Sequence, residues 1–433
     1  MTFLEMTAQA IAPAKVVPVG LDRADEALEL ESLVWSERFT ARQAEAFRTK
    51  LDFDRTFGVE APTTGGPVLA ALASAWGFDT SVPGGRAFAG GLSNVGVRPG
   101  FRRRGFLRAL MAAHFEDCLN RGEPMSMLFA SEAPIYGRFG YGQAGRAAAL
   151  SIPKGAALRA VDFGAAGQVD IAVETADYSS HCGVVEEVNR AAGFGAAARP
   201  GWTAAVTEGA RQASFLDQSP ADGLAEPSRI LIARRAGHAV GYALFRRDGK
   251  WDGSVPSATL EISEFEAADG GGAYAMWAEL LSADLVKTIQ TPRLPLDDPL
   301  FAWLEDWRVA RPRLSDHEYV RLLRVGAALE ARRYAAPLEL RLAVRDQQYQ
   351  HNTGVWRLSG GPDGASAERI SSNADEPSDL TLGVRELGAL YLGGVGAAFL
   401  SDAGLIREST PGAALVLGRA FRGDRQPFTP HSF

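Results

Sequence analysis

The chain has no uninterrupted apolar stretch of about 18 residues, so no membrane-spanning helix is expected. Its N-terminus does not run from basic to apolar as a secretory leader does, and residues 1–12 read as a mobile leader. Cysteine is scarce. Cys118 and Cys182 are the only two in 433 residues, and both fall in segments with helical periodicity. That excludes a disulfide framework and a cysteine zinc site, and it suits a reducing cytoplasm. The six histidines are nowhere spaced as a ligand pair, so no metal is expected. No Ser-His-Asp or Cys-His order is visible, which argues against an acyl-enzyme. The net charge of −7 speaks against nucleic acid as a partner and favours small cationic ones. What is present, 46% hydrophobic and 22% charged residues, is an ordinary globular composition, long enough for two or three domains.

One stretch, Leu92 to Tyr141, organises the rest. A strand ends on Val95-Gly96-Val97. Arg98 to Phe101 then turn the chain into Arg102-Arg103-Arg104-Gly105. After it Leu107, Leu110, Met111, His114, Phe115, Cys118 and Leu119 recur at steps of three and four, one apolar face of a helix. Gly122 stands where a left-handed helix cap is expected. The helix therefore begins near Gly105, with free backbone N–H groups and the positive end of the helix dipole at its mouth. Three arginines and a residue with no side chain complete an anion site suited to a pyrophosphate. Taken alone, an Arg-Arg-Arg run is more often a solvated basic turn. A second strand, Met125–Ala130, leads into Ser131, Glu132 and Ile135-Tyr136-Gly137-Arg138-Phe139-Gly140-Tyr141-Gly142.

The order strand, Arg-Arg-x-Gly, helix resembles the acetyl-CoA signature of the GNAT superfamily of N-acetyltransferases, with Arg108 where a small residue is usual. The octapeptide Ile135–Gly142, together with Arg102–Gly105, looks like the Eis ("enhanced intracellular survival") family of that superfamily. So do Asp298-Pro299-Leu300, Ala327–Arg332, Leu390-Tyr391-Leu392-Gly393 and a chain that ends on Phe433. The resemblance implies transfer of acetyl from acetyl-CoA directly to an amine. It implies Tyr136 as general acid toward the thiolate and the α-carboxylate of Phe433 as base, with Glu132 as the local competitor for that second role. Val95, Gly96 and Val97 would meet the pantetheine arm. Arg102, Arg103, Arg104, Gly105, Phe106, Leu107 and Arg108 would surround the pyrophosphate, and Ser131 and Glu132 would line the coenzyme site. Tyr141 is read as structural. The acceptor is expected to be a cationic small molecule, aminoglycoside-like or a polyamine. A protein lysine, or a carrier role for the last domain without catalysis, are the alternatives. A homo-oligomer, a hexamer by resemblance, is implied.

The expected fold is α+β, a mixed α/β chain. It consists of two tandem GNAT-like domains, 1–155 and 156–310, and a sterol-carrier-protein-like domain, 311–433. Asp22 to Glu31, rich in acids ahead of Leu33-Val34-Trp35, reads as an amphipathic helix. Val68–Trp76 and Arg86–Val97 read as a hairpin across Pro83-Gly84-Gly85, and Tyr141–Ile152 as the closing strand. In the second unit the expected elements are a helix at Tyr178–Ala192, one around Trp202, strands at Ile230–Ala233, Val240–Phe245 and Ala258–Phe265, and a helix at Tyr274–Val286. At the junction matching the arginine turn stands Glu266-Ala267-Ala268-Asp269-Gly270-Gly271-Gly272, whose acids should repel a pyrophosphate. This unit is expected to hold no cofactor. Strands at Leu338–Val344, Val355–Leu358 and Leu380–Leu382 and helices at Val384–Leu392 and Ala413–Phe421 make up the third. The tail from Gln426, with Pro427 and Pro430, is expected to be extended and docked.

Overall fold

The computed structural model describes residues 14–433 apart from Glu37, 196–197, 206–210, 213–214, 216–225, Pro292 and Ser432. The leader, residues 1–12, therefore lies outside the described residues. The first sheet is built from β1 (Val16–Pro18), β2 (Thr56–Thr63), β3 (Gly66–Val82), β4 (Gly85–Val97), β5 (Met125–Phe129), β6 (Gly142–Gln143) and β7 (Glu318–Leu322). Their spatial order is β1-β2-β3-β4-β5-β7-β6. Every neighbouring pair is antiparallel except β4 and β5, which run parallel on either side of the helix α3 (Phe106–Asn120).

The periodicity read from the sequence is what covers this sheet. Phe106, Leu110, Met111, Phe115 and Cys118 of α3 pack with Ala71, Ala73 and Leu92 on one face. On the other face Ala27 and Leu30 of α1 (Ala24–Trp35) and Phe47 of α2 (Ala41–Lys50) pack with Leu69 and Leu72. The hairpin between β3 and β4 turns at Gly84, where φ is +65°, a conformation that suits a residue without Cβ.

A second sheet takes strands 151–153, 286–290, 258–267, 238–247, 229–235 and 170–175 in that order. Helix Gly270–Ser282 packs on one face through Met276, Trp277 and Leu280. Helix Tyr178–Phe194 packs on the other through Val185 and Val188. The third sheet orders strands 364–371, 354–361, 338–345, 380–383 and 406–408, with helices at 325–331, 384–391 and 413–421 beside it.

The units are interleaved. Strand β7, assigned from sequence to the third unit, lies inside the first sheet, and Val320 and Leu322 on it are fully buried. Their core is continuous with Leu387, Leu390 and Phe421 of the last unit. Three local expectations are corrected. Tyr141–Ile152 is not one strand. Gly142–Gln143 joins the first sheet, Arg146–Ala149 a small sheet with 294–295 and 313–316, and Ser151–Pro153 the second sheet. A chain that crosses between two cores must break its ladder to do so. Trp202 is not helical. It leads into strand Thr203–Ala205, which pairs with Phe78–Thr80 at the edge of β3. The helix expected at Tyr274–Val286 begins at Gly270 and stops at Ser282, and Val286 opens a strand instead. Asp269 caps it, its carboxylate accepting from Gly272 N at 2.9 Å, so the cap outweighs the poor helix propensity of three glycines.

Arg321, fully buried, joins the first sheet to the third unit: Nη2 donates to Asp346 Oδ2 (2.7 Å) and Nη1 to the Leu322 carbonyl (2.7 Å). Replacing Asp346 by alanine strands a guanidinium in the core. The expected loss is about 3–5 kcal/mol, read as a lower denaturant midpoint, whereas an unchanged midpoint would show that the pair carries no stability.

Candidate active site

Strands β4 and β5 share a ladder over three residue pairs, Ala89↔Met125, Gly90↔Ser126 and Gly91↔Met127. Beyond them both strands continue, β4 to Val97 and β5 to Phe129, but they no longer pair. Beyond Gly91, the side of β4 that faced β5 has no ladder partner through Val95, Gly96 and Val97. Those backbone groups can bond an extended ligand as a further strand would. The parting is sharpened at Asn94, a non-glycine residue at φ +49° where the β3–β4 register slips. Its side chain accepts from Ser74 Oγ (2.9 Å) and donates to Glu31 Oε2 (3.2 Å), which holds the bulge.

At the end of this gap lies the mouth of α3. Gly105 is its N-cap at φ +84°, no side chain caps it, and a Cβ there would meet nothing within 4 Å. Phe106 is buried, Leu107 half-buried and Arg108 exposed, so the free N–H groups of the first turn face open space. Arg102, Arg103 and Arg104 are exposed, and Arg103 sits at φ +64°. Arg104 folds back, donating to the Gly100 carbonyl (2.9 Å) and covering the Phe101 ring at 4.8 Å. Among the described residues no hydrogen bond or ion pair engages the guanidinium groups of Arg102, Arg103 or Arg108. This cradle fits a diphosphate. The corresponding junction of the second unit does not: the carboxylate of Asp269 occupies its own helix mouth and pairs with Arg235 (2.6 Å).

Between the parted strands is a cavity of about 260 Å³. Glu31 and Trp35 come to it from α1, Lys50 from α2, Leu92, Ser93, Asn94 and Val95 from β4, and Phe129, Ser131 and Tyr136 from β5 and the turn after it. Phe433 lines it too, brought from the far end of the chain. Its ring packs on Phe78 (centroids 4.6 Å), Phe129 (5.0 Å) and Trp76 (6.2 Å). The tail before it is clamped. Phe428 N donates to the Pro200 carbonyl (2.9 Å), Thr203 meets Thr429 Oγ1 (2.9 Å), and His317 Nε2 donates to the Thr429 carbonyl (2.9 Å) while stacking on Phe428 (4.8 Å). The neighbour Ser432 lies outside the described residues.

The two tyrosines of the octapeptide separate by environment. Tyr136 is buried yet lines the cavity, and desolvation with the nearby charge of Glu132 pushes its phenol up to about 12. Tyr141 is fully buried, its hydroxyl 2.7 Å from Ser126 Oγ, which is itself 2.7 Å from His114 Nε2. Burial and then Arg55 pull His114 down to about 3, so that network is neutral and closed. Ser131 is exposed at the rim, and Glu132, also exposed, stands beside it.

Sequence reasoning read Glu31 only as one of five acids on an early helix, and it missed Lys50. The signal was present for Glu31: it falls with Ala24, Ala27 and Leu30 on the buried stripe of α1, whereas Asp25, Glu26 and Glu29 do not. Lys50 carried none, because its position depends on how α2 packs.

Strands that part beside an uncapped, arginine-flanked helix mouth, with a buried phenol at the gap, are the arrangement expected of a GNAT acetyltransferase. Residues 15–144 and 196–325 each match a model described as an acetyltransferase (GNAT) domain, and residues 325–430 a sterol carrier protein domain. A Streptomyces avermitilis protein named an uncharacterized N-acetyltransferase is 35% identical over 91% of this chain and 93% of its own. The N-acetyltransferase Eis of Mycobacterium tuberculosis is 30% identical over 88% of this chain and 90% of its own. The crystal structure of Eis1 from Mycobacterium abscessus superposes with a TM-score of 0.79 at 26% identity, over 97% of this chain and all of that one. The chain belongs to the Eis-like family of GNAT N-acetyltransferases, with two GNAT domains and a C-terminal sterol-carrier-like domain.

A Cβ at Gly91 would lie 2.7 Å from Phe433 Cε2 and against the Phe78 ring. Overpacking of this kind costs about 1–3 kcal/mol, so Gly91→Ala is expected to release the tail. Carboxypeptidase should remove Phe433 from the variant about tenfold faster or more than from the wild type. Equal rates would mean the ring is not seated there.

Proposed function

We propose that this enzyme transfers acetyl from acetyl-CoA directly to an amine of a small cationic molecule, aminoglycoside-like or a polyamine. The observation that carries the reading is that the Tyr136 phenol and the chain end at Phe433 line one cavity at the point where β4 and β5 part. Acetyl-CoA would supply the thioester. Val95–Val97 would align its pantetheine arm, and Arg102, Arg103 and the free N–H groups of Gly105–Arg108 would bind its pyrophosphate. Ser131 and Glu132 would stand at the rim.

The α-carboxylate of Phe433 would take the proton from the acceptor amine. A carboxylate whose ordinary value is about 3.5 is a weak base in water, and an apolar seat strengthens it by destabilising its charged form. The rings of Phe78, Phe129 and Trp76 hold the Phe433 ring and so fix the chain end in the cavity. Glu132, exposed and outside the cavity's lining, is the weaker candidate for base. Tyr136 would return a proton to the departing sulfur. Glu31 gives the cavity an anionic group to which the chain end would add its carboxylate, and the exposed Asp25, Glu26 and Glu29 of α1 extend that sign along the wall. The family's mycobacterial members are named N-acetyltransferases, which agrees with an amine acceptor. Cytoplasmic residence and a homo-oligomer, a hexamer by resemblance, belong to the same reading.

Removal of Phe433 alone tests the base. Calorimetry should show acetyl-CoA binding unchanged, while thiol release with a panel of amines falls about 10²–10⁴-fold. Transfer that continues unchanged at every pH would rule the chain end out. Tyr136→Phe should lower kcat by a similar factor. Because the phenol holds its proton until about pH 12, the wild type should show no alkaline loss attributable to Tyr136 between pH 7 and 10. A descending limb that is centred near the ordinary phenol value of about 10 and vanishes in Tyr136→Phe would contradict the buried environment.

A further inference from the structure

The cavity contains an amine of its own. Lys50 ends α2, and its carbonyl accepts from Trp76 Nε1 (3.2 Å) while its ammonium lies 4.9 Å from the centroid of the same indole. The side chain is thus wrapped around a ring that also meets Phe433 (6.2 Å). Lys50 lines the cavity together with Tyr136, Ser131 and Phe433, and among the described residues it is the one cationic side chain in that lining. Burial pulls its ammonium below the ordinary lysine value, and the charge of Glu31 opposes this only in part. A larger share of free amine is the result, and the free amine is the nucleophilic form. The remaining lysines of the chain are Lys15, Lys154, Lys250 and Lys287, and all four are exposed.

We propose that Lys50 is itself an acceptor of this active site, so that the enzyme acetylates its own Nζ. The proposal rests on the reading of the site as one of acetyl transfer from a CoA thioester. The Nζ lone pair forms the C–N bond to the thioester carbonyl carbon, and the C–S bond breaks. Nitrogen gives a proton to the Phe433 carboxylate and sulfur takes one from the Tyr136 hydroxyl. Passage of the first proton to the phenolate leaves an amide and a free thiol. The modification bears on acceptor choice through charge. Of the charged groups in the lining, Glu31 and the chain-end carboxylate remain once Lys50 is neutral, and a cationic acceptor then meets no like charge.

The test uses full-length wild type and Tyr136→Phe, incubated with trideuteroacetyl-CoA and no acceptor and read by peptide mass spectrometry. Chemical acetylation favours exposed amines, so the four other lysines are internal controls. The expected result is labelling of Lys50 at least about tenfold above any of them, reduced about 10²-fold or more in Tyr136→Phe. Lys50 labelled no more than the exposed lysines, or equally in both proteins, overturns the proposal. A second readout needs no coenzyme. Trace acetic anhydride on the native protein should label Lys50 with less loss of rate from pH 9 to 7 than the exposed amines, whose ordinary value is about 10.4. Glu31 and Tyr136 are the titratable side chains that share this lining with Lys50, and the chain end at Phe433 lines it too. A Lys50 that labels only after denaturation is not presented to the cavity, and the proposal falls. If small amines release thiol while Lys50 stays unlabelled, self-acetylation is wrong and the proposed function stands. If saturating acetyl-CoA acetylates neither, the reading of the site falls with it.

Discussion

Two parallel strands that stop sharing hydrogen bonds after three residue pairs are the constraint on which the rest of this protein depends. Because β4 and β5 separate past Gly91, the backbone of β4 is left with bonding groups that no strand answers. The same separation opens the space that Phe129, Tyr136, Lys50 and Phe433 share. It needs residues of little bulk at its apex. A Cβ on Gly90 would meet Cys118 Sγ and Glu123 Oε2, where α3 crosses the sheet, and one on Gly91 would meet Phe433. Buried Arg55 braces that crossing through Glu123 (2.8 Å) and Asp117 (2.8 Å).

Burial then decides which chemistry each group in the gap offers. Tyr136 and Tyr141 are five residues apart in one turn, yet one ends at the cavity and the other inside a closed bonded network. The two helix mouths differ in the same way. At Gly105 no side chain among the described residues caps the first turn, whereas at Asp269 a carboxylate does, with Arg235 pairing with it. A carboxylate cap already occupies part of the positive end of its helix, which leaves less there for a second anion.

The last residue reaches the first domain only because the second and third surround its path. Pro200, Thr203, Asp297 and His317 each bond the tail. Beneath Thr429 lie His317, held by burial at about 3, and Glu318, pushed by burial up to about 8, so the bed under Thr429 is uncharged at neutral pH. Gly394 makes room for the tail, since a Cβ there would lie 2.6 Å from Pro427 Cδ. The family motifs outside the active turn serve this frame. Arg332 is fully buried and donates to the Tyr391 and Phe421 carbonyls. Asp298 accepts from Leu300 N (2.9 Å) at the start of a short helix.

Local rules were enough to read the first sheet's hairpin, the α3 stripe from Leu107 to Leu119, the arginine turn and the acid that stands at the second helix mouth. Each of these rests on neighbours three to ten residues away, and periodicity, turn chemistry and capping act over that range. The same rules failed at Trp202 and at Tyr141–Ile152, where the chain leaves one sheet for another and partners distant in sequence set the conformation. They also failed for the site's wall. Glu31 was hidden among solvated acids, and Lys50 entered the cavity only through the packing of α2 on Trp76. By itself, then, the sequence determined the class of protein, because an arginine turn ahead of a helix and the octapeptide around Tyr136 are short-range patterns. Which groups surround the acceptor was decided by the tertiary structure, because that wall is assembled from segments up to four hundred residues apart by burial and not by proximity in the chain.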